Sequence, residues 1–205
     1  MPGELTADQA EGSGKALTVG ILLAAGQSRR FGPDNKLLAA FRGAPLASHA
    51  AEAMREAQFA RRLAVVADPA VAELLAGFEI VEASPGQPQS ESLRLGISRA
   101  SSLGADRVVV ALADMPLVTA ALLSEVDRRC ADYGASASQD GDRRSPPAGF
   151  SRTHYEALLK TSGDKGGSAL IQDLPSGALV DAAGFLGDVD TIADLMALEW
   201  RAGGT

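Results

Sequence analysis

At 205 residues, with 46% of them hydrophobic, the chain is long enough to bury a sizeable core, and its length fits one domain. A formal net charge of -7 and an aromatic content of 4% oppose binding to nucleic acid, which needs a cationic surface and stacking platforms. The single cysteine, Cys130, excludes an intramolecular disulfide and a four-thiolate zinc site. No apolar run approaches the roughly 18 residues of a membrane span, and the first residues lack a secretory pattern, so the expectation is a cytoplasmic protein without a membrane partner.

Residues 1–16, "MPGELTADQAEGSGKA", are small and polar with no apolar period, which predicts a flexible tail ahead of a domain over 17–205. Four short apolar runs follow: "TVGILLAA" at 18–25, "RLAVVA" at 62–67, "FEIVEA" at 78–83 and "RVVVALA" at 107–113. Their continuous apolarity predicts strands buried on both faces, as in a parallel sheet covered by helices. Leu46, Ala50, Ala53, Met54 and Ala57 share one helical face, and Leu122, Leu123, Val126 and Cys130 share another. The alternation predicts an α/β fold with a three-layer, doubly wound, mostly parallel sheet, whose ligands sit beyond the carboxyl ends of the strands.

Beyond Asp114 the pattern is less regular. Residues 134–150, "GASASQDGDRRSPPAGF", read as short strand-like pieces mixed with a polar, charged loop. Helices are expected at about 153–161, 166–173 and 191–201, and a last strand in "GALVDAA".

The segment from Gly26 to Lys36 leaves the carboxyl end of the first strand and carries Ser28, Arg30 and Lys36. Glycine N–H groups, a serine hydroxyl, a bidentate guanidinium and an ammonium together suit a polyphosphate. A solvated basic loop is the plainer alternative, and its position after a buried strand favours function. Gly26–Gly32 lacks the lysine and Ser/Thr of a P-loop, no GxGxxG follows the strand, and "GSGK" at 12–15 belongs to the tail.

Asp114 ends the fourth run and precedes Met115 and Pro116, which places a hard carboxylate at the ligand-facing rim, suited to Mg²⁺; capping of the next turn is the alternative. Ser90 and Ser92 stand at the start of an apparent helix, where hydroxyls and free N–H groups can meet a base, ribose or phosphate, although Ser90 could equally be an N-cap. His49 and His154 read as surface or capping residues, and no Ser/His/Asp or Cys/His set supports acyl transfer. Cys130 reads as core.

Leu23, Ala24, Ala25, Gly26, Ser28, Arg30, Gly32 and Lys36 form the signature LAAGxSxRxG…K. With "SESLRLGI" at 90–97, "ADMPLVT" at 113–119, "SPPAGF" at 145–150, "SGDKGGSALI" at 162–171 and "GDVDTIADL" at 187–195, the chain from about 18 to 198 resembles the MobA-like nucleotidyltransferases. Among them it is most similar to the molybdenum cofactor cytidylyltransferases. The resemblance implies a Rossmann-like nucleotidyltransferase fold that moves CMP from CTP to the phosphate of molybdopterin and releases pyrophosphate. It implies nucleotide binding by Leu23, Ala24, Ala25, Gly26, Ser28, Arg30, Lys36, Ser90 and Ser92, with Arg30, Lys36 and Asp114 catalytic. Asp114 and Asp190 would hold Mg²⁺, and a molybdoenzyme could receive the product. For Asp190, capping of the final helix together with Asp188 and Thr191 stands as an equal alternative. Asp164 matches an acceptor-side segment and reads more simply as an N-cap before Lys165. The chain carries Ala-Ala-Gly where guanylyl members carry Ala-Gly-Gly, which points to CTP over GTP. Its three residues between Gly32 and Lys36 exceed the commonest spacing, and Pro146 replaces a frequent His or Asn. Another phosphorylated acceptor, or a noncatalytic nucleotide-binding module, are the alternative readings.

Overall fold

The computed structural model describes residues 16–203, apart from Gln27, Arg29, Pro33 and 164–166. The expected tail, Ala16 excepted, and the reading of Asp164 lie outside the described residues. From β1 (Thr18–Ala24) the chain passes through a small ribbon, β2 (Ala40–Phe41) and β3 (Ala44–Pro45), into α1 (Leu46–Glu56). It continues through β4 (Arg61–Val66), α2 (Pro69–Glu73), β5 (Glu79–Glu82), α3 (Gln89–Ser102), β6 (Arg107–Leu112) and α4 (Ala120–Tyr133). The second half holds β7 (Ala135–Asp140), β8 (Arg143–Ser151), α5 (Tyr155–Leu159), α6 (Ser168–Gln172), β9 (Leu179–Asp181) and α7 (Ile192–Gly203).

The described strands form a seven-stranded sheet in the order β5-β4-β1-β6-β8-β7-β9, in which β8 alone runs against its neighbours. The fold is the expected three-layer, mostly parallel sheet. Side chains alternate along β1: Leu22 and Ala24 face the core under α1 and α4, while Val19, Ile21 and Leu23 face the core under α3, α5 and α6. Full burial of a leucine or isoleucine side chain contributes about 1.5–3 kcal/mol, so the two layers hold β1 at the centre. Gly96 lets α3 close on this strand, since a Cβ there would lie 2.8 Å from the Ile21 side chain.

Three expectations need correction. β5 is an edge strand with alternating exposure, Ile80 being 38% exposed, so it is not covered on both faces. The irregular stretch after Gly134 is a β-hairpin turning at Gly141 and inserted into the sheet beside β6. Ser136 and Ser138 made β7 look polar, yet both are fully buried, their hydroxyls donating to the carbonyls of Val126 (2.7 Å) and Pro147 (2.8 Å). The last strand is shorter than "GALVDAA" suggests, because residues Ser176–Ala178 form a 3₁₀ turn.

Thr119 caps α4 by accepting from the Leu122 N–H, and Gly134 ends it in a left-handed conformation. On the inner face of this helix Cys130 is buried, and burial pushes its thiol up to about 12. Ellman's reagent should therefore leave the folded chain unlabelled and titrate its one thiol only after denaturation; fast labelling of the native chain would contradict this packing.

Among the described residues no helix is long and apolar enough to cross a membrane.

Candidate active site

β1 pairs with β4 so that Ala24 faces Val66, and with β6 so that Leu23 faces Leu112. The segments carrying Gly26, Asp68 and Asp114 therefore leave the sheet at one rim. Val189 is stitched to this rim, its N–H donating to the Asp114 carbonyl at 3.0 Å.

Lys36 is the centre of the arrangement. It begins a 3₁₀ turn, Lys36–Leu38, and is 4% exposed. Its Nζ donates to Asp114 Oδ2 at 2.7 Å, to the Val189 carbonyl at 2.7 Å and to Asp190 Oδ1 at 3.0 Å. A buried ammonium is tolerated only with such partners. Burial disfavours its charge, but the Asp114 charge and the hydrogen bonds it donates to both carboxylates hold its pKa above the ordinary lysine value. Burial likewise pushes the Asp114 carboxyl up against the pull of Lys36, and the charges of Asp188 and Asp190 push the same way. The longer spacing after Gly32 does not shorten the reach of Lys36.

Asp190 also accepts from Arg30 at 2.6 Å, but the Arg30 side chain is 72% exposed, so this pair adds little stability and leaves the guanidinium free to change partners. The capping alternative for Asp190 is not what forms. Thr191 and Asp194 make a reciprocal capping box at the start of α7, with the Thr191 N–H donating to Asp194 Oδ2 at 2.7 Å and the Asp194 N–H to Thr191 Oγ1 at 3.1 Å. Asp188 turns instead to Arg143 at 3.0 Å. The T-x-x-D spacing carried this signal in the sequence.

These groups open into a cleft of about 430 Å³ lined by Leu23, Ala25, Gly26, Arg30, Lys36 and Asp114, with Gly86, Gln87 and Pro88 of the loop before α3 and Gln89 and Ser92 of its first turn. Among the described residues, two buried side-chain polar atoms lack a hydrogen-bond partner, Gln87 Oε1 and Asp114 Oδ1. Both belong to residues of this cleft, as expected where a ligand completes the bonding. Gly26 has an ordinary backbone conformation, and a Cβ there would meet nothing within 4 Å, so the open space rather than the conformation distinguishes it. Gln87 was missed in the sequence, hidden in a loop rich in proline and glycine.

Three expected residues sit elsewhere. Ala24 and Ser28 line an adjoining cavity that shares Ala25, Gly26 and Gly86 with the cleft. The Ser28 hydroxyl accepts from the Lys36 N–H at 3.0 Å and so closes the loop. Ser90 is buried, its N–H donating to the Gly163 carbonyl at 3.3 Å, and it is not the N-cap, which is Pro88. A second cavity of about 300 Å³ shares Leu23, Gln89 and Leu112 with the cleft and continues along Pro146, Ala148 and Phe150 of β8. His49 meets the Phe41 carbonyl at 2.8 Å, away from the cleft.

Residues 20–179 match the family model of the MobA-like NTP transferase domain. The chain belongs to this family. As a MobA-like NTP transferase it is a nucleotidyltransferase. It is 29% identical over 190 residues to the purine catabolism protein PucB of Bacillus subtilis (strain 168), covering 84% of this chain and 91% of PucB. It is similar to the crystal structure of Rv0371c from Mycobacterium tuberculosis H37Rv, with a TM-score of 0.79 and 27% identity over 90% of this chain and 99% of that one. A manganese complex of Rv0371c aligns with a TM-score of 0.76 and 26% identity, with the same coverage. A nucleotidyl transferase from Methanothermobacter thermautotroptrophicus, Mth528, shares the fold at 21% identity, with a TM-score of 0.76 over 90% of this chain and 97% of that one.

The site of this MobA-like domain has the donor set for a hard divalent ion. Asp114 Oδ1 is buried without a partner, and the Asp114 and Asp190 carboxylates converge on one point now held by the Lys36 ammonium. Among the described residues no three His, Cys, Asp or Glu side chains cluster to hold a metal alone. Two carboxylates leave the remaining positions to phosphate oxygens and water, which is how Mg²⁺ is usually bound.

Proposed function

We propose that the chain transfers CMP from CTP to the terminal phosphate of molybdopterin, with Mg²⁺ as the metal. An acceptor phosphate oxygen attacks the α-phosphorus, the bond from that phosphorus to the bridging oxygen of the β-phosphate breaks, and pyrophosphate leaves. The convergence of Lys36, Asp114 and Asp190 at the cleft beneath the β1 loop is the observation that carries this reading. CTP rests on the Ala24–Ala25–Gly26 form of the motif, and molybdopterin rests on the same resemblance.

The chain's residues then divide the work. Gly26 leaves room for a phosphate to approach the main chain, Arg30 exchanges Asp190 for phosphate oxygens, and Lys36 brings an ammonium to the leaving pyrophosphate. Asp114 and Asp190 would hold the divalent ion, which supplies charge neutralisation on the triphosphate. The acceptor needs no general base, because a phosphate monoester has a second pKa of about 6 and is already anionic at neutral pH. The cavity along β8 adjoins the cleft and would receive the acceptor.

The test is pyrophosphate release from CTP, GTP, ATP and UTP with Mg²⁺, using molybdopterin and, in parallel, sugar phosphates as acceptors. Release with CTP and molybdopterin, at least about tenfold faster than with the other bases, is the expected result. Release with a sugar phosphate alone would replace the acceptor, and no release with any acceptor would favour a nucleotide-binding module.

A further inference from the structure

The residue before Lys36 is held from two sides. Asn35 Oδ1 accepts from the Leu37 N–H at 3.0 Å and so caps the 3₁₀ turn that Lys36 begins, while Asn35 Nδ2 donates to Asp68 Oδ2 at 2.7 Å. Asp68 is fixed in turn, because its other oxygen caps α2 by accepting from the Ala70 N–H at 2.9 Å. The end of β4, the neighbour of β1, is thereby tied to the turn that aims the ammonium. Asn35 and Asp68 are not among the residues lining the cleft; they line an adjoining cavity that shares Ala25, Gly26 and Gly86 with it.

We propose that Asn35 and Asp68 form a clamp that positions Lys36. The inference rests on the nucleotidyl-transfer reading and concerns how its lysine is held. A four-carbon side chain carries much rotamer freedom, and its ammonium can meet two carboxylates and a carbonyl together only if the main chain below it is fixed. The Ser28 hydroxyl accepts from the Lys36 N–H at 3.0 Å and donates to Asn35 Oδ1 at 3.5 Å, while the Asn35 amide, bonded at both of its ends, ties the turn to Asp68. Asn35 is a positioning residue because its two short bonds, to the Leu37 N–H and to Asp68, run to scaffold.

The clamp can be inverted. In Asn35→Asp the carboxylate keeps the cap on Leu37 but faces Asp68 as a like charge without a donor. In the double variant Asn35→Asp/Asp68→Asn the donor and acceptor change places: the new amide at 68 donates to the new carboxylate at 35, and its oxygen still caps Ala70. The measurement is calorimetric titration of inorganic tripolyphosphate with Mg²⁺, alongside Mg²⁺–CTP and thermal melting. Asn35→Asp and Asn35→Ala are expected to weaken binding of both ligands about tenfold, and the double variant to return to within about threefold of the unsubstituted chain. Recovery with the negative charge still at position 35 would assign the loss to geometry. Unchanged affinity in the single variants, a lowered melting temperature with no loss of affinity, or a double variant as weak as Asn35→Asp would each overturn the clamp. An unsubstituted chain that binds neither ligand would overturn the nucleotidyl-transfer reading itself, and the clamp with it.

Discussion

Asp114→Ala is expected to reduce pyrophosphate release by about a thousandfold or more, the scale on which removing a preorganised electrostatic group acts in an active site. The substitution removes one of the two carboxylates facing Lys36 and the buried oxygen that has no partner of its own. The chain should still fold. Lys36 retains Asp190 and the Val189 carbonyl, so its charge is not left bare, and the cost to stability should be about 1–3 kcal/mol. Turnover with the unsubstituted chain set beside circular dichroism and thermal melting separates the two effects. A folded variant with near-normal turnover would remove Asp114 from the chemistry.

Lys36→Met is expected to act in two opposed directions. Turnover should fall by about a hundredfold to a thousandfold, because the ammonium no longer reaches the leaving group. Binding of Mn²⁺ alone, without nucleotide, should tighten by about tenfold or more. In the folded chain the Lys36 ammonium sits 2.7 and 3.0 Å from the two carboxylates that would hold a divalent ion, and removing a like charge at that range relieves repulsion of several kcal/mol at an effective dielectric constant of about 20. Electron paramagnetic resonance of free Mn²⁺ reads this without any acceptor. Weaker Mn²⁺ binding in the variant would mean that the carboxylates depend on the lysine for their placement and do not compete with it for a cation.

Much of this site was legible in the sequence, for physical reasons that can be named. Asp114 stood out because a buried apolar run ends on a carboxylate, which in a parallel sheet can only be the ligand-facing rim. Lys36 and Arg30 stood out because cations followed such a strand in an acidic chain. Asp190 was left open between two roles, although Thr191 and Asp194 already had capping-box spacing and so freed it. The β7–β8 hairpin was read only as short strand-like pieces around a polar loop, because Ser136 and Ser138 hide their polarity in backbone carbonyls, a satisfaction that hydropathy patterns cannot record. Gln87 and the Asn35–Asp68 bond were missed for a different reason. Each depends on distant segments meeting at the rim, and the local sequence of each reads as an ordinary turn.

The most direct measurement is the anomalous difference map of a crystal grown with Mn²⁺ and CTP. A manganese peak between Asp114, Asp190 and the triphosphate, with the phosphates on Gly26, Arg30 and Lys36, is the predicted result. A triphosphate bound away from the β1 loop, or manganese with no contact to Asp114, would contradict it.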